Sequence, residues 1–351
     1  MSRSLLFIGG VALDITATVS RNHAQHLSPL YTSSPGSLKQ TLGGVGRNMA
    51  EAAFRTGINT LLVSAVGNDV SGKTVKYQIK ALGMDTKYLD TLPNQSTAVY
   101  NAIHSGDGQL LAAVADMNIF DAINPSRVEQ VIATEKPYLV CFDGNITSEV
   151  MASTLKSCNA LGIRACFEPT SVVKSLKVFE HASLLETKTL SLTTPNQHEL
   201  EVMAEEYKLR LGQGVSNEKS ILHHFATKVK GPSLALRMLP HALELSNAIP
   251  HVITKMGEEG CLYVGRSEQV PVVKYFEPKH ILPQDVTSVT GAGDSFVGVL
   301  LANLTAMAPA FPEDPSVWKK VIDRAQQAAI LTLKSTMAVS PSIDSKLLLA
   351  S

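Results

Sequence analysis

The sequence is poor in the features that mark several classes of protein. Its 31 lysines and arginines balance 31 aspartates and glutamates, so no net charge draws it to nucleic acid or to an acidic membrane. Four cysteines among 351 residues form no C-x-x-C pair, which argues against a zinc site or disulfide framework and predicts buried thiols in a reducing compartment. No apolar run approaches the roughly 18 residues that span a membrane, and no secretory cleavage signal is visible. These absences predict a cytoplasmic protein without nucleic-acid or membrane partners.

The chain also lacks internal repeats, low-complexity tracts and Pro/Ser-rich linkers. Its hydrophobic content of 44% is ample for a large core. From about residue 124 onward, predicted strands at 138–143, 163–167 and 189–193 are separated by helical patterns. This βαβ repetition predicts an α/β fold, in which a mostly parallel central sheet is flanked by helices within a single domain over residues 1–351.

Two stretches depart from this alternation. Residues 97–115 contain two apolar segments around the turn sequence SGDG, which predicts a β-hairpin. Residues 20–40 are rich in Ser, Pro, Gly and His and are expected to form a flexible excursion. We expect residues from about 13–40 and 96–117 to form a small β lid over a site, although an ordinary extension of the sheet edge fits the hairpin equally well.

The remaining long polar region is expected to be helical. Residues 198–246 carry their charge on faces exposed to solvent. Adjacent residues cannot share one face of a helix, so His223 and His224 are expected on the surface and not at a metal.

The stretch Val289–Phe296 reads VTGAGDSF and combines small residues with a carboxylate. Small residues allow a sharp turn with uncovered N–H groups, and the apolar spacing after Phe296 predicts a helix. The N-terminus of such a helix predicts a site for phosphate. A carboxylate beside that site suggests that Asp294 is a base, accepting a proton while an oxyanion is stabilised. A simple N-cap role for Asp294 explains the same pattern.

Other polar groups follow predicted strands or begin helices. Asp14 comes after the apolar run Ser4–Val11, and ligand groups collect at the carboxyl ends of strands in α/β sheets. Leu42–Ala50 reads LGGVGRNMA, where adjacent glycines permit close approach of a ligand and Asn48 can point at it; a helix start with packing glycines is the equal alternative. Further strand ends carry Asp143, Asn145, Glu168 and Asn196.

The segment Gly67–Thr74 matches the phosphate-binding loop of P-loop NTPases letter for letter. However, Asp69 places a fixed negative charge inside the loop, and Val70 is a poor fit wherever positive φ is required. We therefore favour a capped junction between the strand at 59–66 and the helix that follows.

In this order the motifs resemble the ribokinase-like (PfkB) family of sugar and nucleoside kinases, from residue 5 to about 335. Leu42–Ala50 looks like the first signature of the family, and Val289–Phe296 looks like the second. Residues 67–69 and Gly72 match a stretch after its second strand. The resemblance implies a ribokinase-like α/β fold with a small β lid, through which family members often form homodimers.

The resemblance also implies roles for individual residues. Asp294 would be the base that accepts the proton of a sugar hydroxymethyl group. The anion hole for the transferring phosphoryl would be formed by Gly291, Ala292 and Gly293. The sugar hydroxyls would be held by Asp14, Gly43, Gly44 and Asn48. The ATP site would be lined by Asn196, Thr290, Lys255, Gly257 and Gly260, and Glu199 would bind Mg²⁺ through water.

Two positions depart from the family pattern. Ser288 stands where many members have an Asp that helps to bind a monovalent cation, so the resemblance does not carry potassium activation over to this chain. Lys255 stands where Thr is common, which implies electrostatic contacts to the nucleotide.

The exact residues within three motifs imply the substrate. The sequences GGVGRN and SVTGAGD, and Ala113–Met117, look most like the pseudouridine kinase branch, which implies ATP-dependent phosphorylation of the 5′-hydroxyl of pseudouridine. Contacts to the uracil would come from polar groups such as Asn101, Asp143, Asn145 and Glu168. Phosphorylation of ribose, another sugar or another nucleoside is the alternative. A non-catalytic nucleotide or sugar binder and a P-loop NTPase are the alternatives from other classes.

Overall fold

The structure is a computed structural model that describes residues 3–20, 33–212, 231–267, 270–307, 311–312 and 314–349, together with positions 221 and 225. The expectation for His223 and His224 therefore lies outside the described residues. So does the middle of the 20–40 segment.

The strands of the described residues form two sheets. The strands are β1 (Ser4–Ile8), β2 (Ala12–Val19), β3 (Gly36–Gly43), β4 (Asn59–Gly67), β5 (Leu89–Leu92), β6 (Val99–His104), β7 (Leu110–Asp116), β8 (Leu139–Asp143), β9 (Arg164–Glu168), β10 (Leu190–Thr193), β11 (His251–Lys255), β12 (Cys261–Ser267) and β13 (Val270–Phe276). The larger sheet has the order β13-β12-β11-β10-β9-β8-β1-β4-β5. Its strands run parallel from β5 to β11, and β12 and β13 are added antiparallel. The predicted, mostly parallel central sheet is confirmed.

Helices cover both faces of the larger sheet. They are α1 (Val45–Arg55), α2 (Val70–Ala81), α3 (Pro125–Glu135), α4 (Ser148–Leu161), α5 (Gln197–Leu211), α6 (Ser233–Leu245), α7 (Ala292–Ala306) and α8 (Pro315–Leu333). Side chains alternate along β1, so that Leu6 and Ile8 pack in the core with α3–α6 while Leu5 and Phe7 pack in the core with α1, α7 and α8. Burial on both faces explains why the strands read as continuous apolar runs.

Local signals in the sequence set several helix ends. The Asn124 side chain accepts a hydrogen bond from the N–H of Ser126 at the start of α3, and Thr147 accepts from Val150 at the start of α4. Gly162 ends α4 in the left-handed conformation, with φ of 66°. Such local chemistry is why the βαβ alternation is legible in the sequence.

The smaller sheet has the order β3-β2-β6-β7 among the described residues. The expected hairpin is confirmed, because β6 and β7 pair antiparallel. The flexible excursion expected over 20–40 is wrong for its last part, since residues 36–40 belong to β3 and pair with β2. Most of β3 is exposed, so no alternating apolar pattern marks it as a strand. The segments expected to form a lid supply all four strands of this sheet; its closing over a site stays a prediction.

Between the strands predicted at 163–167 and 189–193, the helical pattern forms 3₁₀ turns over Lys174–Thr187 that are interrupted at His181. Within the helical region expected over 198–246, the described residues contain α5 and α6. All four cysteines are buried and free, as expected. None of the helices in the described ranges has the length and apolar character needed to cross a membrane.

Candidate active site

A glycine turn begins helix α7. Gly291 precedes the helix with φ of 76°, and a Cβ placed there would lie 1.9 Å from the carbonyl oxygen of Ala338. Only glycine fits this turn. No side chain caps α7, and Asp294 lies in its first turn instead of at the N-cap. The structure therefore rules out the simple N-cap role, and the first turn of α7 offers N–H groups and a positive dipole end to an anion.

The Asp294 carboxylate contacts the first turn of α1. Its Oδ2 accepts a hydrogen bond of 2.6 Å from Asn48 Nδ2. The helices approach closely here, because a Cβ on Gly298 of α7 would lie 2.4 Å from the carbonyl oxygen of Met49 in α1. Asn48 is buried, and its Oδ1 has no hydrogen-bond partner among the described residues. An orphan acceptor next to a carboxylate suits a ligand that carries hydroxyl groups.

Burial raises the pKa of Asp294 to about 6. The hydrogen bond from Asn48 and the charge of Lys255 act in the opposite direction, while Glu168 and Asp143 add to the rise. A carboxyl with this pKa is ionised at neutral pH and is a stronger base than an ordinary aspartate. Its proton affinity is therefore suited to general-base catalysis.

Asp14 lies over the glycines that lead into α1. A Cβ on Gly43 would lie 2.2 Å from the Asp14 carboxylate oxygens, so the glycine leaves room for the carboxylate. Gly44 has φ of 91°, and a Cβ there would lie 2.4 Å from the carbonyl oxygen of Gly10. Burial raises the pKa of Asp14, against the charge of Arg47. The structure thus brings Asp14 and the two glycines to the end of the helix that carries Asn48.

Asn101 lies away from this group. In the parallel pairing of β2 with β6, Asp14 is opposite Tyr100, and Asn101 is opposite Ile15. Successive strand residues point to opposite faces, so Tyr100 lies on the same face as Asp14. Asn101 is exposed and lies on the opposite face. The structure does not bring Asn101 to the site within one chain. Tyr100, and not Asn101, lies on the face of the sheet that carries Asp14.

Asn145 and Asp143 are held by other protein groups. The buried Asp143 carboxylate accepts hydrogen bonds from the N–H of Gly10 at 2.9 Å and from Asn145 Nδ2 at 3.1 Å. Asn145 Oδ1 accepts from Lys174 Nζ at 2.6 Å. A Cβ on Gly9 would lie 2.4 Å from Asp143 Oδ2, so this carboxylate clamps the turn after β1. Both side chains therefore support the turn after β1, and a role of either in substrate binding stays a prediction.

Lys255 and Glu168 form a buried ion pair beside α7. Lys255 Nζ lies 2.8 and 2.9 Å from the two carboxylate oxygens of Glu168, which also accepts a hydrogen bond from the Thr194 hydroxyl. The side chains are only 16% and 5% exposed. Glu168 was expected at the nucleobase, but its carboxylate is directed to Lys255.

Asn196 and Glu199 make a capping box at the start of α5. Asn196 Oδ1 accepts from the N–H groups of His198 and Glu199, and Glu199 Oε2 accepts from the N–H of Asn196 at 2.8 Å. An isolated bridge pairs Asn196 with Lys255, so the expected phosphate-binding positions lie side by side. The capping roles of Asn196 and Glu199 did not follow from the resemblance, and their contacts to phosphate and Mg²⁺ stay predictions.

The acidic groups suit a Mg²⁺ ion that keeps most of its water. No cluster of three acidic, histidine or cysteine ligands occurs in the described ranges, so an all-protein cage for a metal is absent from them. Burial raises the pKa of Glu199, and the neighbouring Glu168 raises it further against the charge of Lys255. A buried carboxylate under like-charge repulsion fits a cation brought in by phosphates, with water between the ion and Glu199.

The last predicted positions lie in two turns. Gly257 and Gly260 have φ of 60° and 81°, and a Cβ on Gly260 would lie 2.3 Å from the carbonyl oxygen of Phe276. Thr290 is exposed, and its N–H donates to the Ser288 hydroxyl at 3.2 Å. The hydroxyl of Ser288 thus closes the turn that precedes the anion site.

Arg47 was assigned no role from the sequence. It is 2% exposed, donates to the carbonyl oxygens of Leu42 and Gly43, and forms an ion pair with Glu51. Burial lowers its pKa, while the charges of Glu51, Asp14 and Asp294 raise it. Arg47 therefore fixes the glycine turn and places a positive charge behind two carboxylates. The available signal was a charged residue in a helix start that otherwise contains Asn48 and small or apolar residues.

Residues 3–345 match the family profile described as pfkB family carbohydrate kinase. Among curated relatives, the pseudouridine-metabolizing bifunctional protein of Schizosaccharomyces pombe is 28% identical over 351 residues, covering 91% of this chain and 44% of the relative. Pseudouridine kinase of Escherichia coli is 29% identical over 203 residues, covering 57% of this chain and 60% of the relative. Ribokinase of Bacillus subtilis is 24% identical, covering 84% of this chain and 83% of the relative. The match thus spans about half the length of the first two relatives.

Solved structures show the same fold. Ribokinase from Cryptococcus neoformans in complex with ADP has a TM-score of 0.70 at 18% identity and covers 97% of each chain. A nucleoside kinase from Burkholderia thailandensis in complex with inosine has a TM-score of 0.66 at 16% identity, covering 98% of this chain and 96% of that one. At these identities the similarity establishes the ribokinase-like fold.

Proposed function

The chain belongs to the pfkB family of carbohydrate kinases, and we propose that it transfers the γ-phosphoryl group of ATP to the 5′-hydroxyl of pseudouridine. The observation that carries the proposal is the Asp294 carboxylate, with a raised pKa, in the first turn of a helix whose N-terminus no side chain caps. This arrangement pairs a base with an anion site, which phosphoryl transfer to an alcohol requires. The pseudouridine relatives support the choice of substrate.

Each group has a part in the proposed reaction. Asp294 accepts the proton of the attacking hydroxyl while the oxygen bonds to the γ-phosphorus and ADP departs. The N–H groups of Gly291, Ala292 and Gly293 bind the phosphoryl oxygens. Asp14 and the free acceptor of Asn48 hold the sugar hydroxyls, which fixes the orientation of the attacking oxygen.

The nucleotide occupies the other side of the anion site in this proposal. Asn196, Lys255, Thr290 and the turn with Gly257 and Gly260 line the ATP phosphates. Mg²⁺ would neutralise charge on the phosphates when it is bound, and Glu199 would face its water shell.

A panel of acceptors tests the substrate. Purified protein with MgATP is given pseudouridine, uridine, ribose, deoxyribose and inosine, and ADP release is measured. We expect the highest kcat/KM with pseudouridine. Uridine is the matched control, because it differs in the bond that joins base to sugar. Higher kcat/KM with ribose or another nucleoside would replace pseudouridine as the substrate within the same reaction class.

Asp294→Asn tests whether the protein is a catalyst or a binder. We expect ATP binding to remain and turnover to fall by at least about 100-fold, because the amide cannot accept the proton. Turnover by rapid quench and ATP affinity by calorimetry are measured on the same sample. Unchanged turnover would remove Asp294 from the mechanism, and a wild-type protein that binds ATP without turning over any acceptor would favour the non-catalytic alternative.

A further inference from the structure

The Lys255 ammonium lies directly beside the anion site. A Cβ built on Gly293 has Lys255 Nζ, at 3.8 Å, as its sole non-local neighbour within 4 Å among the described atoms. The backbone holds the side chain in place, because the N–H of Lys255 donates to the carbonyl oxygen of Pro195 at 2.8 Å. Apart from the neighbouring residues of α7 itself, the space beside Gly293 is thus open except for the Lys255 ammonium.

Neighbouring carboxylates keep the Lys255 side chain protonated. Burial alone would lower the pKa of Lys255, but the carboxylates of Glu168, Glu199 and Asp294 more than offset it and raise the pKa. The ammonium has three N–H donors, and within the described ranges its hydrogen bonds go to the two oxygens of Glu168. One donor is left for a ligand at the anion site.

We infer that Lys255 is a catalytic residue whose ammonium binds the transferring phosphoryl group directly, which deepens the proposed function and rests on it. In the transfer, a bond forms between the acceptor oxygen and the γ-phosphorus, and the bond from that phosphorus to the bridging oxygen breaks. ADP keeps the electron pair, and the acceptor proton goes to Asp294. Lys255 keeps its protons throughout and compensates charge on the phosphoryl oxygens.

Glu168 acts through Lys255 as a positioning residue. Its two oxygens hold the ammonium, and the hydroxyl of Thr194 orients the carboxylate. A lysine stem is flexible, so a bidentate partner is needed to keep Nζ near Gly293. The position that usually carries Thr in the family thus carries, in this chain, a fixed cation with its own support.

Nucleotide selectivity tests the inference without any acceptor. Wild type, Lys255→Met and the surface control Lys156→Met are titrated with MgATP and MgADP by calorimetry. We expect Lys255→Met to weaken ATP binding about 10-fold more than ADP binding, since only ATP carries the γ-phosphoryl, and to lower kcat by about 100-fold. Lys156→Met should match the wild type in both. Equal losses of ATP and ADP affinity in Lys255→Met would overturn the inference about Lys255 and leave the proposed kinase function standing.

A double variant separates catalysis from folding. Lys255→Met leaves the Glu168 charge buried and unpaired, which is destabilising, whereas Lys255→Met with Glu168→Gln removes both charges. The inference predicts that the double variant regains thermal stability but not kcat or ATP selectivity. Recovery of kcat in the double variant would reduce the pair to a structural role. Failure of the wild type to bind either nucleotide would overturn the proposed function together with this inference.

Discussion

The Asp294 carboxyl combines partial burial with a shared hydrogen bond to Asn48. A base must be ionised to accept a proton, so in the proposed mechanism the raised pKa would set the pH at which Asp294 can act. The same burial gives the ionised form a cost in folding free energy, which is typical of an active site that is organised for chemistry at the expense of stability.

This predicts the pH profile. We expect kcat/KM to rise with pH through about 6, the pKa of Asp294 in the ligand-free protein, and to level off above it. The measurement is kcat/KM for the acceptor from about pH 5 to 9. The residual rate of Asp294→Asn should lack this inflection. A wild-type profile that is flat across this range would assign the base elsewhere.

His251 is a titratable residue outside the site. Its ring contacts Tyr263, Phe311 and Trp318, and its Nδ1 lies 2.9 Å from the Tyr263 hydroxyl. Burial, followed by the charge of Arg164, lowers its pKa from 6.5 to about 4. The unfolded chain therefore binds a proton at a pH where the folded chain does not.

The sign gives an acid-stability prediction. The free energy of unfolding is highest above pH 6.5. It decreases as the pH falls toward 4, by about 3 kcal/mol, because the unfolded chain binds a proton at His251 that the folded chain does not. Urea unfolding at several pH values measures it. His251→Gln should flatten the pH dependence in this window, while the exposed control His280→Gln should keep it. Equal slopes in both variants would contradict the assignment.

At the scale of elements, the loop before α2 has the sequence of a phosphate-binding loop but forms the N-terminal cap of a helix. Asp69 accepts hydrogen bonds from the N–H of Gly72 at 2.7 Å and of Thr97 at 2.8 Å, so its carboxylate occupies the place where a phosphate would lie. The expected capped junction is confirmed. The cap also ties α2 to the segment that leads into β6.

Two substitutions in this loop should differ in effect. Lys73 is exposed, so Lys73→Ala should leave most of the activity. Asp69→Ala should lower the free energy of unfolding by about 1–2 kcal/mol through loss of the cap. ADP release and chemical denaturation measure the two outcomes. Loss of activity in Lys73→Ala at unchanged stability would revive the P-loop alternative.

At the scale of the whole molecule, the smaller sheet exposes apolar side chains. Leu38, Leu110, Leu111 and Val114 are all more than half exposed, and all residues of β7 are exposed. An exposed apolar sheet with a free edge strand is a surface that proteins usually cover. The homodimer that the family resemblance implies would cover it.

The oligomeric state is a direct test of this surface. We expect light scattering after gel filtration to give twice the 37.6 kDa of the chain, and Leu110→Glu with Val114→Glu to give a monomer. Leu209→Glu is the matched control, because Leu209 is also an exposed apolar residue but lies on α5. A monomeric wild type would leave the function of the β7 surface unexplained.

Local chemistry made much of the fold predictable from sequence. Glycines at 44, 257, 260 and 291 adopt positive φ at turns that were identified from their spelling. Apolar runs and capping residues placed most strands and helices of the larger sheet, because backbone hydrogen bonding and burial act over short distances along the chain. The strands β2 and β3 lie in segments expected to form part of the lid, but their bounds were not predicted, since most of β3 is exposed and β2 is held by pairing with β3 and β6.

The arrangement of the site was decided only by tertiary structure. Asn48 and Asp294 are 246 positions apart and meet because α1 and α7 cross at Gly298. Glu168 meets Lys255 because β9, β10 and β11 are neighbours in the sheet. The sequence by itself determined which polar and charged side chains were available for chemistry. Strand order and helix crossing decided which of these side chains form ion pairs or hydrogen bonds with one another, because contacts between distant segments are set by packing.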